Sequence, residues 1–237
     1  MMKMLAIDTS THVLGIALAD EQKILGEYTT NIKKNHSVRL MPAVQSLMKE
    51  SGVVPDDLEA IAVTTGPGSY TGVRIGVTTA KSMAWALNIP LYPVSTLQVF
   101  AQNGLGFPGL VSPLIDARRN QVYTAAFSGS TGENTVVRQK KDQIILLPEW
   151  LEGLAQTQEQ ILFVGEDTKT RQELIQEQLG SRAVFADWMG QTIRPAEIIR
   201  VARTTGTARE AHEVVPEYAQ LAEAEKNWQK AQSGRSE

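Results

Sequence analysis

The stretch Ile61–Gly76, IAVTTGPGSYTGVRIG, sets an apolar run, a glycine-proline break and a helix start side by side. Ile61, Ala62 and Val63 read as a buried strand. Gly66, Pro67 and Gly68 interrupt regular structure, and Ser69 or Thr71 caps a helix that carries Val73, Ile75 and Val77. A loop at the carboxyl end of a strand is where α/β proteins bind ligands or partners. Gly72, Gly76, Ala80 and Ala84 then recur at every fourth position, giving the helix a bare ridge that another backbone can approach closely. A helical glycine costs about 1 kcal/mol relative to alanine, so two of them imply a compensating contact. The ridge faces either this protein's own sheet or a partner.

Composition narrows the classes. The chain has 237 residues, 42% hydrophobic and 21% charged, with net charge −3. That describes one large or two small globular domains without a general pull toward nucleic acid. Cysteine is absent, which excludes disulfides, thiolate nucleophiles and cysteine metal sites. The amino terminus, MMKMLAIDTSTHVLGIALA, has the lysine and apolar run of a signal peptide, but Asp8, Thr9, Ser10 and His12 interrupt it. It reads as a strand pair in a cytoplasmic protein. No stretch reaches the roughly 18 apolar residues that span a membrane.

The sequence is also written twice. Leu5–Asp8 precedes an alternating strand, Val13–Ala19, as Leu114–Asp116 precedes Val122–Phe127. Ile161–Gly165 precedes a helical stretch, Thr168–Leu179, much as Ile61–Gly66 precedes the ridge helix. The copies lie about 100 residues apart, one supersecondary repeat. Each half is expected to run strand, strand, strand, helix, strand, helix. In the first half strands fall near 3–8, 13–19, 23–30, 60–65 and 90–94, and helices near 38–51, 72–87 and 95–102. Phe107-Pro108-Gly109 is the expected joint between a first lobe, residues 1–105, and a second, residues 106–237, which ends in a helical tail. The last residues of the polar segment Glu223–Glu237 are expected to be mobile.

Asp8 and Asp116, each ending the first strand of its half, fit the α/β fold of actin, the sugar kinases and Hsp70, in which paired aspartates flank a nucleotide. There the first loop reads Asp-x-Gly, so that backbone amides reach phosphate. Here the loops read Asp8-Thr9-Ser10 and Asp116-Ala117-Arg118, and the expected adenine-side glycine cluster is reduced to Gly165. Asp8, Ser10 and Asp116 are therefore candidates for a vestigial nucleotide site, against the alternative that the aspartates only cap turns.

Ile7-Asp8-Thr9-Ser10, the helix start His36-Ser37 with Leu40-Met41-Pro42, the loop GPGSYTGVRIG, and the tail Pro216-Glu217-Tyr218 followed by LAEAE over Leu221–Glu225 resemble the TsaB (YeaZ) family over nearly the whole chain. The resemblance implies a bacterial subunit that pairs with its paralogue TsaD to make N6-threonylcarbamoyladenosine at position 37 of ANN-decoding tRNAs. It also implies that TsaD carries the catalytic metal, that the ATPase TsaE joins as a third component, and that tRNA is met only through the complex. Tyr218-Ala219-Gln220 departs from the Tyr-Leu-Arg that the family leads one to expect.

The paralogue's metal helix needs two histidines four apart, both imidazoles on one face. His36 stands at a helix start, but position 40 is Leu40, and His12 and His212 lie elsewhere. Metallopeptidase chemistry therefore has little support, and neither a serine-hydrolase motif nor a Walker loop is present. Ser69 and Tyr70 have no base nearby in sequence and read as structural, with Gly66, Pro67 and Gly68. What remains is an interaction protein. Val38, Met41, Val44 and Met48 recur at helical spacing, with Leu40 and Leu47 widening the stripe. The expected partner surface is His36, Leu40, Met41, Val44 and Met48 on one helix, with Gly72, Val73, Gly76, Ala80 and Met83 on the next. The isolated chain would use the same patch for a homodimer. On this reading Gly76→Trp blocks pairing and leaves the fold intact. The chain would need no cofactor of its own, a nucleotide at the junction with TsaD staying open, as does the alternative of an ATPase or small-molecule kinase.

Overall fold

The computed structural model describes residues 2–32, 34–129 and 134–217. The helical tail and the Tyr218-Ala219-Gln220 departure fall outside the described residues. The first half contains β1 (Lys3–Asp8), β2 (Val13–Ala19), β3 (Ile24–Asn31), α1 (His36–Glu50), β4 (Leu58–Gly66), α2 (Tyr70–Leu87), β5 (Leu91–Ser95) and α3 (Thr96–Ala101). The second contains β6 (Leu110–Asp116), β7 (Gln121–Ser128), β8 (Val137–Leu146), α4 (Leu147–Ala155), β9 (Ile161–Val164), α5 (Gln172–Leu179), β10 (Ala183–Phe185) and α6 (Pro195–Thr204).

The two sheets have one topology, with strand orders β3-β2-β1-β4-β5 and β8-β7-β6-β9-β10. In each, three strands form an antiparallel meander, a fourth pairs parallel with the first, and a fifth pairs parallel with the fourth. Parallel neighbours need a crossover, and α2 and α5 supply it. Asp8 and Asp116 close β1 and β6, and Gly66 and Gly165 follow the apolar runs of β4 and β9 with φ of 115° and 105°. A Cβ at Gly66 would lie 2.6 Å from the Glu217 carbonyl oxygen, and one at Gly165 2.5 Å from that of Leu114. Both turns therefore need glycine for backbone conformation and for space.

Strand alternation sorts the side chains into layers. Leu5, Ile7, Leu14, Ile16, Leu18, Ile61 and Val63 pack under α1 and α2, whereas Met4, Ala6, Val13, Ala17, Ala60 and Ala62 face a central layer with α3 and α6. With both faces covered, the strands read as nearly continuous apolar runs. Most of the inward residues of the first sheet are small because α6 lies directly on them: a Cβ at Gly15 would come within 2.6 Å of Pro195 Cγ. In the second sheet Leu114, Val122, Ala126, Ile161 and Phe163 pack under α4 and α5.

The expected lobe boundary needs one change. Helix α6, from the second half, packs against the first sheet, and α3, from the first, packs against β6 and β7. Beyond α6 the chain also stays with the first lobe. Arg209 pairs with Leu91, and Ala211 and Val214 enter the core under α2. Lys81 Nζ donates to the Val214 and His212 carbonyls at 2.6 and 3.3 Å, and the Glu217 N–H donates to the Thr65 carbonyl at 2.7 Å. Residues 195–217 thus cover the first sheet because its edge and small-residue face are the apolar surfaces left to bury.

Candidate functional site

The carboxyl ends of β1, β4, β6 and β9 open onto one cleft of about 630 Å³ between the lobes. Ser10, His12, His36, Gly68, Ser69 and Tyr70 line it from the first lobe, and Asp116, Arg118, Tyr123, Glu166 and Asp167 from the second. Ser69 caps α2, its Oγ accepting the Gly72 N–H at 3.2 Å.

The two aspartates have diverged. Asp8 is wholly buried and is not among the lining residues. Its Oδ1 accepts the Ser10 N–H and Oγ–H at 3.1 and 2.6 Å and the Thr64 Oγ1–H at 2.5 Å, while Oδ2 has no partner among the described residues. Burial raises its carboxyl above the ordinary range, and the Ser10 and Thr64 hydrogen bonds only partly oppose this. Asp8 therefore sits beneath the cleft and braces its first loop, a correction to its expected place on a ligand. Asp116 does reach the cleft, but its Oδ1 accepts Arg171 Nη2 at 2.5 Å. The next turn holds Arg118, Arg119 and Asn120 in the left-handed region, with φ of 64°, 52° and 60°. Such a run outside glycine is strained and is kept only where its surroundings impose it.

His36 lines the cleft, its Nε2 lying 2.9 Å from the Thr11 carbonyl. Among the described residues no three His, Asp or Glu side chains come together to hold a metal ion. Across the cleft, Glu166 Oε2 lies 2.6 Å from His12 Nε2, and its Oε1 accepts Asn31 Nδ2 at 3.2 Å. Burial and the nearby Asp167 and Asp8 push the Glu166 carboxyl up to about 7, with the Asn31 hydrogen bond pulling the other way. These three residues carried no local signal in the sequence, since they meet only when the lobes do.

The outer helices form the second candidate surface, and here the expected residues divide. Leu40, Val44, Met48, Val73 and Ala80 are buried in the core under α1 and α2. The ridge is internal as well. A Cβ at Gly72 would overlap the Thr9 carbonyl oxygen, and one at Gly76 would lie 2.5 Å from Thr9 Oγ1 and 3.7 Å from Ile7 and Val63 methyls. The small residues therefore seat α2 on β1 and β4, and Gly76→Trp would disrupt the fold before any pairing. Met41 remains on the surface at 46% exposure, joined by Val38 at 67%, while Met83 is half-buried. Trp85 is 81% exposed on the face of α2 opposite the ridge, outside the stripe, so its position carries no periodic signal in the sequence. Tyr70, 44% exposed beneath the Arg74 guanidinium at 4.2 Å, opens the same helix.

Two sheets of one topology, back to back around a central helical layer with paired strand-end aspartates, define the duplicated α/β class of actin, the sugar kinases and Hsp70. Residues 23–228 match the family described as TsaD: tRNA N6-adenosine threonylcarbamoyltransferase. The chain is 46% identical to the tRNA threonylcarbamoyladenosine biosynthesis protein TsaB of Bacillus subtilis, over 98% of this chain and 100% of that one. It is 35% identical to the Escherichia coli protein of the same name, over 62% and 64% of the two chains. Among solved structures, YeaZ from Pseudomonas aeruginosa superposes with TM-score 0.74 at 26% identity, covering 92% of this chain and 100% of that one. The chain belongs to the TsaB (YeaZ) family.

Proposed function

We propose that this chain is a non-catalytic subunit that binds TsaD and supports transfer of the threonylcarbamoyl group to N6 of adenosine 37 in tRNAs reading ANN codons. The observation that carries the reading is the outer face of α1 and α2, where Val38, Met41, Tyr70 and Trp85 stand exposed on helices whose opposite faces are fully used in the core. Apolar side chains held in this way suit a helical partner surface. A supporting role is favoured by the cleft residues, since Asp8 is spent on Ser10 and Thr64 and Asp116 on Arg171. The names of the relatives supply the pathway. TsaE joins as the third component and tRNA is met through the complex. The chain has no cofactor of its own, and any nucleotide sits at the junction with TsaD. In isolation the same face pairs two copies. The setting is cytoplasmic, in keeping with described helices too short or too polar to cross a membrane.

The test is size-exclusion chromatography with light scattering of the chain, alone and mixed with TsaD. Wild type gives a homodimer alone and a heterodimer in the mixture, and Met41→Glu with Trp85→Glu abolishes both while the circular dichroism spectrum is kept. No complex with TsaD overturns the proposal.

A further inference from the structure

The two sheets have four edges, and three of them are protected against pairing. At β5 the Leu91 N–H and carbonyl are both taken by Arg209, at 3.0 and 2.9 Å, and Pro93 interrupts the strand. Strand β10 is only three residues long. Strand β8 carries Arg138, Lys140, Lys141 and Asp142 and breaks register twice against β7. Short length, proline, charge and bulges are the ordinary means by which edges are kept from pairing.

Strand β3 is the exception. From Gly26 to Asn31 it stays in unbroken register with β2, without proline, lysine or arginine. Its one charged side chain, Glu27, is held by the start of α6, Oε1 accepting the Ala196 N–H at 3.3 Å. Ile24, Tyr28 and Ile32 are 54%, 38% and 43% exposed along it. Among the described residues no strand lies beyond it, so its outer backbone N–H and C=O groups form a free ladder.

We propose that β3 pairs antiparallel with β3 of a second copy of this chain, joining two five-stranded sheets into one. Two-fold antiparallel pairing sets one residue opposite its own copy and the others at equal offsets on either side. Centred on Glu27, the pairing would oppose two carboxylates, which is destabilising. Centred on Tyr28, it sets Tyr28 against Tyr28, Glu27 against Thr29, and Gly26 against Thr30. An aromatic pair then stands at the axis and no like charges meet. The segment is complementary to itself, whereas the broken register of β8 offers it no regular partner. The helices leave room for the approach. Helix α1 packs on β2 and β3, so a strand spacing of about 4.8 Å sets α1 and its copy about 10 Å apart, an ordinary helix packing distance. Strand β3 also lies at the opposite edge of the sheet from β4 and β5, beside which α2 packs. Where TsaD covers α1 and α2, as in the reading above, β3 joins two such complexes.

A ladder of about five residue pairs falls below the roughly 1,200 Å² of a stable interface, so the pairing is weak and is read at high concentration. Sedimentation velocity of Met41→Glu with Trp85→Glu, which lacks the α1–α2 pairing, is expected to show monomer at about 5 µM and dimer at about 500 µM. Adding Tyr28→Lys abolishes that dimer, and adding Tyr28→Phe keeps it. In the otherwise wild-type chain Tyr28→Lys leaves the α1–α2 pairing intact, so failure of one interface is told from failure of the other. Because the chain has no cysteine, introduced thiols report the register. With oxidised glutathione, Tyr28→Cys links to its own copy. Glu27→Cys links to Thr29→Cys at least about tenfold faster than either links to itself, since only directly opposed residues lie within disulfide reach. Monomer at every concentration overturns the proposal, as does a dimer indifferent to Tyr28→Lys or a Glu27→Cys chain that links to itself as fast as to Thr29→Cys.

Discussion

Gly76→Ala tests whether the small-residue ridge of α2 is a core contact. In an exposed helix this change stabilises by about 1 kcal/mol. Here the added Cβ would stand 2.5 Å from Thr9 Oγ1, which donates to the Gly72 carbonyl at 2.7 Å. An ordinary contact requires the Thr9 hydroxyl to retreat by about 1 Å, and Thr9 is almost wholly buried, so no water replaces the lost bond. The hydrogen bond is worth about 1 kcal/mol and the overpacking costs about 1–3 kcal/mol. Set against the propensity gain, the net effect is a loss of about 1–3 kcal/mol. Urea unfolding followed by tryptophan fluorescence measures it, and a double-mutant cycle with Thr9→Ala assigns it. With the hydroxyl gone, the lost hydrogen bond and the overpacking both drop out and only the propensity gain remains, giving a coupling of about 2–4 kcal/mol. A stabilising Gly76→Ala, additive with Thr9→Ala, would refute the close seating of α2 on β1.

Asp8→Ala strands the Ser10 and Thr64 donors and costs about 2–4 kcal/mol in the same unfolding assay. Asp8→Asn keeps the acceptor. Because burial raises the Asp8 carboxyl, the wild type loses stability as pH rises through that raised value and the asparagine variant does not. The variant's advantage in thermal melts is therefore largest in alkali and shrinks in acid. Ser112→Ala removes the acceptor of the buried Trp150 indole N–H, bonded at 3.0 Å, and lowers stability by about 1–3 kcal/mol in chemical denaturation. Met41→Glu with Trp85→Glu changes exposed groups only, so its unfolding free energy in urea stays within about 0.5 kcal/mol of wild type while pairing is lost.

Much of the fold was legible because it is local. The apolar runs and caps of β1, β2 and α2 lie in contiguous sequence, and the second copy confirmed the order of the first. The glycines of α2 were recognisable as a close approach, but which surface they approach depends on the sheet beneath, and period alone is the same for a core ridge and a partner ridge. The α1 stripe misled for a related reason. Leu40, Val44 and Met48 are wide enough to cover β2 and β3, so width did not signal a second partner. Asp8 and Asp116 were correctly paired by position, whereas their chemistry is set by Thr64 and Arg171, which are remote in sequence. The return of α6 to the first sheet was hidden because its apolar face fits either lobe.

The most direct test of the proposed role is nucleoside mass spectrometry of tRNA incubated with threonylcarbamoyl adenylate, TsaD and TsaE, with this chain added or omitted. N6-threonylcarbamoyladenosine that accumulates only when the wild-type chain joins TsaD, and not with Met41→Glu and Trp85→Glu, is the predicted result. Modification by this chain without TsaD, or equal modification in its absence, would contradict it.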